Sequence, residues 1–176
     1  MTGKRDTNLY AYVAELMTSI RKPGGSIGIV VPPGLITEDA AKEFAQKMLD
    51  GEISTLYQFD NTEKIFPIDS RYSFALITFR KSEKMESVFY ASNVMHLSNP
   101  ARKVFFEKGD FWKFNPNMGT CFFPRTKRDL ELCRKIYDNC GGVFVKERDE
   151  SKNPWSLKTI GMFHMTNDSG LFHMSN

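Results

Sequence analysis

Two apolar runs rich in β-branched and aromatic residues, ISTLYQF (Ile53 to Phe59) and YSFALITF (Tyr72 to Phe79), are separated only by Asp60 to Arg71. That gap is too short for the helical crossover that parallel neighbours need, so the runs are expected as adjacent antiparallel strands. The gap holds a puzzle of its own. Its EKIFPIDSR stretch sets Phe66 and Pro67 ahead of a polar turn, where a hairpin has no need of an aromatic ring. Either the ring packs beneath its own hairpin, or it serves something outside the chain.

The segments before the hairpin fix the fold class. Asn8 to Lys22 carries Leu9, Tyr12, Val13, Leu16, Met17 and Ile20 at helical spacing, which predicts an amphipathic helix capped by Asp6 or Thr7. Pro23-Gly24-Gly25 stops it. SIGIVVP then reads as a strand buried on both faces of a parallel sheet. Thr37, with Glu38 and Asp39 behind it, is expected to start a second helix running to about Leu49. Helix, strand, helix, strand, strand is the order of an α/β layered sheet with a hairpin at its edge.

Beyond Lys81 the pattern changes, and a domain boundary is expected near Ser82, between residues 1–81 and 82–176. SVFYAS suggests another strand. TKRDLELCRKIYDN predicts a helix capped by Thr126, with Leu130, Cys133, Ile136 and Tyr137 on one face. Residues 82–176 are thus expected to form a smaller α+β extension, loop-rich toward its end with one possible strand.

Composition narrows the function classes. The chain has 176 residues, 41% of them hydrophobic, and a mean hydropathy of −0.39, with no apolar run of membrane-spanning length. MTGKRDTNLY lacks the apolar core of a secretory signal. Cys121, Cys133 and Cys140 are odd in number and unpaired in spacing, so reduced thiols and a cytoplasmic location are expected. His164 and His173 stand among methionines without carboxylate spacing, which gives no support to a metal site. No GxGxxG loop, Walker motif or Ser/His/Asp set is present.

The net charge of +3 is unevenly spread. Residues 64–135 carry 14 basic and 7 acidic side chains, against 6 and 9 before them and 4 and 5 after. Basic residues interleaved with Phe66, Tyr72, Phe105, Phe106 and Trp112 suit a phosphate backbone, although a solvated basic surface has the same composition. The best-placed DNA contacts are Arg71 and Arg80, flanking the hairpin, and Arg125, Lys127 and Arg128 at the start of the capped helix. There the helix N-terminus would add backbone donors for an anion.

TGKRDTNLYAYVAELMTSIRKPGGSIGIVVPPGLITEDAAKEF followed by STLYQFDNTEKIFPIDSRYSFALITF resembles the back half of the catalytic domain of adenine-specific DNA methyltransferases. The nearest kin are the large fused enzymes of bacterial restriction–modification and phage-exclusion systems. FNPNMGTCFFPRTKRDLELCRKIY, NPW and MFHMTNDSGLF resemble the segment that follows it there, so the likeness runs from Thr2 to Phe172 in family order. A small departure is Asp60, where a Glu often precedes the Asn.

The resemblance implies the carboxyl-terminal half of a Rossmann-like, S-adenosylmethionine-dependent sheet, acting on double-stranded DNA. It implies that Phe66-Pro67 stacks on a flipped target adenine. The family's glycine loop for S-adenosylmethionine and its (Asp/Asn)-Pro-Pro-aromatic motif have no counterpart in the chain. Val31-Pro32-Pro33-Gly34 lacks the flanking residues and reads as a strand exit. The chain alone is therefore expected to be inactive and to bind no cofactor. A stand-alone DNA-binding or protein-interaction module is the alternative reading. The SIGIVV strand, separated from upstream neighbours, would leave an edge able to self-associate.

Overall fold

The computed structural model describes residues 8–116, 118–140, 156, 158, 160–162, 164 and 166–171. Two compact units divide the chain, residues 1–142 and 143–176. The first is built on a mixed five-stranded sheet of order β1-β3-β2-β4-β5. Its strands are β1 (Ile27–Val31), β2 (Ile53–Asp60), β3 (Ser73–Phe79), β4 (Lys84–Ala91) and β5 (Val104–Glu107). In the second unit the described residues show a short 3₁₀ turn, Ser169–Leu171, and no strand. There the His164 N–H donates to the Asp168 carboxylate at 2.7 Å.

The expected hairpin is present: β2 and β3 pair antiparallel, with Leu56 opposite Ile77 and Phe59 opposite Phe74. It lies inside the sheet rather than at its edge, because β3 is also paired antiparallel with β1. β1, in turn, is not a strand buried on both faces among parallel neighbours. It is an edge strand in which Gly28 and Val30 are exposed while Ile27 and Ile29 are half-buried. A short apolar run reads alike in either setting, and β1 keeps one apolar face because only that face meets helices.

β4 pairs parallel with β2, and β5 antiparallel with β4. The boundary expected near Ser82 therefore falls inside one continuous sheet. Because β1, β2 and β4 run the same way, their carboxyl ends at Val31, Asp60 and Ala91 lie along one edge.

Helices cover one face of this sheet. They are α1 (Leu9–Ser19), α2 (Gly34–Thr37), α3 (Lys42–Leu49), α4 (Asp110–Phe114) and α5 (Lys127–Cys140). Thr37 ends a short helix instead of starting a long one, and its hydroxyl donates back to the Pro33 carbonyl at 3.2 Å. Such back-bonding competes with an N-cap role. The principal core joins Leu35, Ile36 and Phe44 to Leu56, Ile77, Phe79, Phe89 and Phe106. A smaller cluster on the other face holds Phe59, Phe74, Val88 and Ala91. α1 turns Ala11 and Ala14 inward, so the large apolar stripe read as its core face lies outside. Its expected caps, Asp6 and Thr7, fall outside the described residues.

α5 begins as expected. The Asp129 N–H donates to Thr126 Oγ1 at 3.3 Å, and the Thr126 N–H donates to the Asp129 carboxylate at 2.8 Å, a reciprocal capping box. Farther along, the Arg134 guanidinium donates to buried Asp110 at 2.6 Å and to the Phe105 carbonyl at 3.0 Å. Asp110 also accepts the Glu107 N–H at 2.9 Å, so one carboxylate ties β5, α4 and α5 together.

A candidate nucleic-acid interface at the carboxyl edge of the sheet

The loop between β2 and β3 is organised around one side chain. Asn61, fully buried, accepts the Phe66 N–H on Oδ1 at 3.0 Å. Its Nδ2 donates to the carbonyls of Phe66 at 3.0 Å and Ile68 at 3.3 Å. Lys64 enters the loop in the left-handed region, at φ 53°. The Ile68 N–H closes a three-residue turn onto the Phe66 carbonyl at 2.8 Å. Pro67 sits at the centre of that turn, where its fixed φ is already near the value required. The Phe-Pro step is thus built into the backbone geometry.

The Phe66 ring sits edge-on against Phe74, with centroids 4.7 Å apart and planes at 82°. Phe74 in turn stacks on Phe59 at 5.1 Å. Phe66 remains 38% exposed, in a rim that includes Ile65, Ile68 and Tyr72. One edge of the ring therefore joins the hairpin, as the first answer to the opening puzzle has it, and the rest of the ring faces outward. Open α/β sheets bind ligands at this carboxyl edge.

A second loop is fastened alongside. The Glu63 carboxylate accepts from Ser92 Oγ at 2.7 Å and Asn93 Nδ2 at 3.2 Å. Those hydrogen bonds, Ser92 first, hold Glu63 below the usual carboxylate range. Between the loops, buried Gln58 accepts the Tyr90 N–H at 2.6 Å and donates to Asp60 at 2.8 Å. This spans the irregularity where the β2–β4 register shifts between Tyr57 and Phe59. Tyr90 has a φ of 53°, and Arg102 steadies it by donating to the carbonyls of Phe89 at 3.0 Å and Tyr90 at 2.7 Å. Arg125 lies over the Tyr90 ring, 4.8 Å from its centroid.

The basic residues are not equally well placed. Arg71 is in the Phe66 loop, but its guanidinium folds back onto Asp69 at 2.8 Å. This pair raises the Arg71 pKa and lowers that of Asp69. Such exposed pairs are weak, so Arg71 can exchange Asp69 for another anion. Arg125 joins the same edge through Tyr90. Arg80 does not: it follows β3 at the opposite end, roughly 20 Å of strand away, so Arg71 and Arg80 do not form one patch. Lys127 pairs with Glu131 at 3.5 Å, and Arg128 is exposed on the first turn of α5. The backbone donors expected there for a phosphate are partly taken by the capping box, which also places the Asp129 carboxylate at that helix end.

Gln58, Tyr90 and Arg102 carry no motif that singles them out in the sequence, and Asn61 enters only through the resemblance, as the Asn that follows Asp60. A turn asparagine is too common to signal a buried clamp, and Tyr90 reads as an ordinary strand residue. Cys121 is buried and Cys133 half-buried, both as free thiols, with burial pushing each thiol up. The side chain of Cys140 lies outside the described residues, as do His173 and the NPW segment.

No family model and no curated protein matches the chain. Among solved structures, the type IIG restriction endonuclease BpuSI aligns at 16% identity with a TM-score of 0.39, over 50% of this chain and 11% of that one. A type I restriction–modification methyltransferase subunit from Streptococcus thermophilus aligns at 15% identity with a TM-score of 0.35, over 76% of this chain and 24% of that one. The chain thus spans a quarter or less of the length of either. No helix among the described residues is long and apolar enough to cross a membrane.

Proposed function

We propose that the chain forms part of an adenine-specific DNA methyltransferase of a restriction–modification system, and that its Phe66-Pro67 loop takes the flipped target base. The observation that carries this reading is the buried Asn61 clamp, which presents a part-exposed aromatic ring at the carboxyl edge of an α/β sheet. Modifying a base requires taking it out of the stack and holding it against flat side chains. Base–aromatic stacking contributes roughly 1–3 kcal/mol, and the edge of Phe66 on Phe74 fixes the ring before the base arrives. Arg71 and Arg125 at the same edge, with Lys127 and Arg128 beyond, supply sequence-independent contacts to DNA phosphates.

In such an enzyme S-adenosylmethionine supplies the methyl group. The glycine loop that holds it in the methyltransferases this chain resembles has no counterpart in the sequence, so no site for it is proposed in this chain. No step through the cofactor is assigned to this chain, which on this reading contributes base and backbone contacts only and is inactive alone.

The test combines three measurements on Phe66→Ala: duplex affinity, methyl transfer and stability. Affinity for a duplex containing one unpaired adenine should fall about 5- to 150-fold, the 1–3 kcal/mol of one stacked base. In the complete enzyme the same change should lower methyl transfer. Unchanged affinity accompanied by a large loss of stability would assign Phe66 to the core alone.

A further inference from the structure

Tyr90 is a strained point on the carboxyl edge of the sheet. Successive side chains of a strand point to opposite faces, yet Phe89 and Tyr90 at the end of β4 both meet one ring. Phe123 stacks on Phe89, with centroids 4.6 Å apart and planes at 18°, and it lies edge-on to Tyr90 at 6.4 Å and 82°. The left-handed φ of 53° at Tyr90 is what lets consecutive residues share a side. A bulky residue enters that region rarely and at a cost. Here buried Gln58 holds the Tyr90 N–H and Arg102 its carbonyl. Beyond Phe123, the turned ring meets Arg125, whose guanidinium carbon lies 4.8 Å from the ring centroid. Arg125 is exposed. Among the described residues it makes no ion pair, whereas Arg71 and Lys127 each hold a carboxylate.

We propose that Tyr90 is a positioning residue for DNA binding: its left-handed backbone sets the ring beneath Arg125, so that the guanidinium meets one phosphate beside the Phe66 loop. The proposal rests on the reading that this edge faces DNA, and it concerns the DNA backbone rather than the flipped base. Position supports it first. β2 and β4 are parallel neighbours with Phe59 opposite Ala91, so Tyr90 lies about one strand spacing, ~4.8 Å, from the strand that leads into the Phe66 loop. The chemistry of the contact agrees. A cation held by a ring rather than by a carboxylate keeps its charge uncompensated and its N–H donors available to a phosphate. An arginine already ordered by that ring also loses less freedom when it binds.

The test is a double-mutant cycle on a fully paired duplex, with binding by the whole chain measured across a salt series. Tyr90→Gly keeps the backbone conformation, since glycine enters the left-handed region freely, but removes the ring. It should weaken binding about 2- to 12-fold, the ordering of one long side chain. That loss should be absent in an Arg125→Ala background. Arg125→Ala should lower the slope of log affinity against log salt by about 1, and Tyr90→Phe should bind as the unmodified chain does. Because Tyr90→Gly could misfold, the unmodified chain gives a second reading: the Arg125 Nε–H resonance, displaced by the Tyr90 ring, should move when the duplex is added. No loss in Tyr90→Gly, an equal loss with and without Arg125, an equal defect in Tyr90→Phe, or an Arg125 resonance unmoved at saturating duplex would overturn the proposal. The duplex offers no unpaired base to Phe66, so a failure of base stacking and a failure of Arg125 placement appear in separate measurements. A chain without salt-dependent duplex binding would overturn both.

Discussion

Asn61 engages both ends of its amide with the backbone of the Phe66 loop, so its removal should loosen the loop as well as weaken the fold. Three hydrogen bonds from a buried side chain, at 0.5–1.5 kcal/mol each, give an expected loss of about 2–3 kcal/mol for Asn61→Ala in urea unfolding. Phe66→Ala should cost less, about 1–2 kcal/mol. The ring keeps only its edge contact with Phe74, and a fully buried phenylalanine would lose about 3–5 kcal/mol. Asn61→Ala should also weaken binding to an unpaired adenine although Asn61 itself is buried, since the ring it positions would no longer be held. Glu63 provides a pH test. Its folded pKa is lowered by the Ser92 and Asn93 hydrogen bonds, so its contribution is present above the ordinary carboxylate range and lost as pH falls through the depressed folded value. Acid titration followed by amide exchange at Ser92 and Asn93 should show the two loops separating. Glu63→Gln should remove that acid step.

At the level of elements, legibility followed length and local chemistry. The β2–β3 hairpin was readable because two long apolar runs had no room for a crossover, and α5 because Thr126 marks its start and Leu130, Cys133, Ile136 and Tyr137 recur at helical spacing. β5 and α4, at four and five residues, are too short to establish a period and went unread. α1 was found but turned the wrong way. Its helical spacing was real, yet Ala11 and Ala14 allow the helix to lie close on the sheet, which leaves the larger residues outside. That choice depends on the neighbouring surface, and no pattern within the helix records it. Arg134 tests the packing of α5. Arg134→Ala would leave Asp110 buried without its cation, and about 3 kcal/mol of stability should be lost. Arg134→Lys should recover only part of it, because an ammonium cannot reproduce the guanidinium's simultaneous reach to Asp110 and the Phe105 carbonyl. Thermal unfolding of the two variants distinguishes these outcomes.

Across the whole molecule, the basic middle of the chain divides between two ends of the sheet. Arg71 and Arg125 lie at the carboxyl edge, followed in sequence by Lys127 and Arg128, and Arg80 lies opposite. DNA binding should therefore be salt-dependent, and changing Arg125, Lys127 and Arg128 together to Ala should reduce the slope of log affinity against log salt by about 2–3. Arg80→Ala should leave it nearly unchanged. The candidate site was only partly legible in the sequence. Phe66-Pro67 stood out because a hairpin does not need it, whereas the residues that aim it are scattered over 58–102 and converge only through the sheet. The central claim is that this ring receives an unstacked base, and photochemical cross-linking tests it most directly. A duplex carrying a single unpaired 5-iodouracil, irradiated with the chain and digested, should yield its cross-link in the Ile65–Tyr72 loop, at Phe66 above all, and the product should disappear in Phe66→Ala. A cross-link confined to other segments, or one of equal yield in Phe66→Ala, would contradict it.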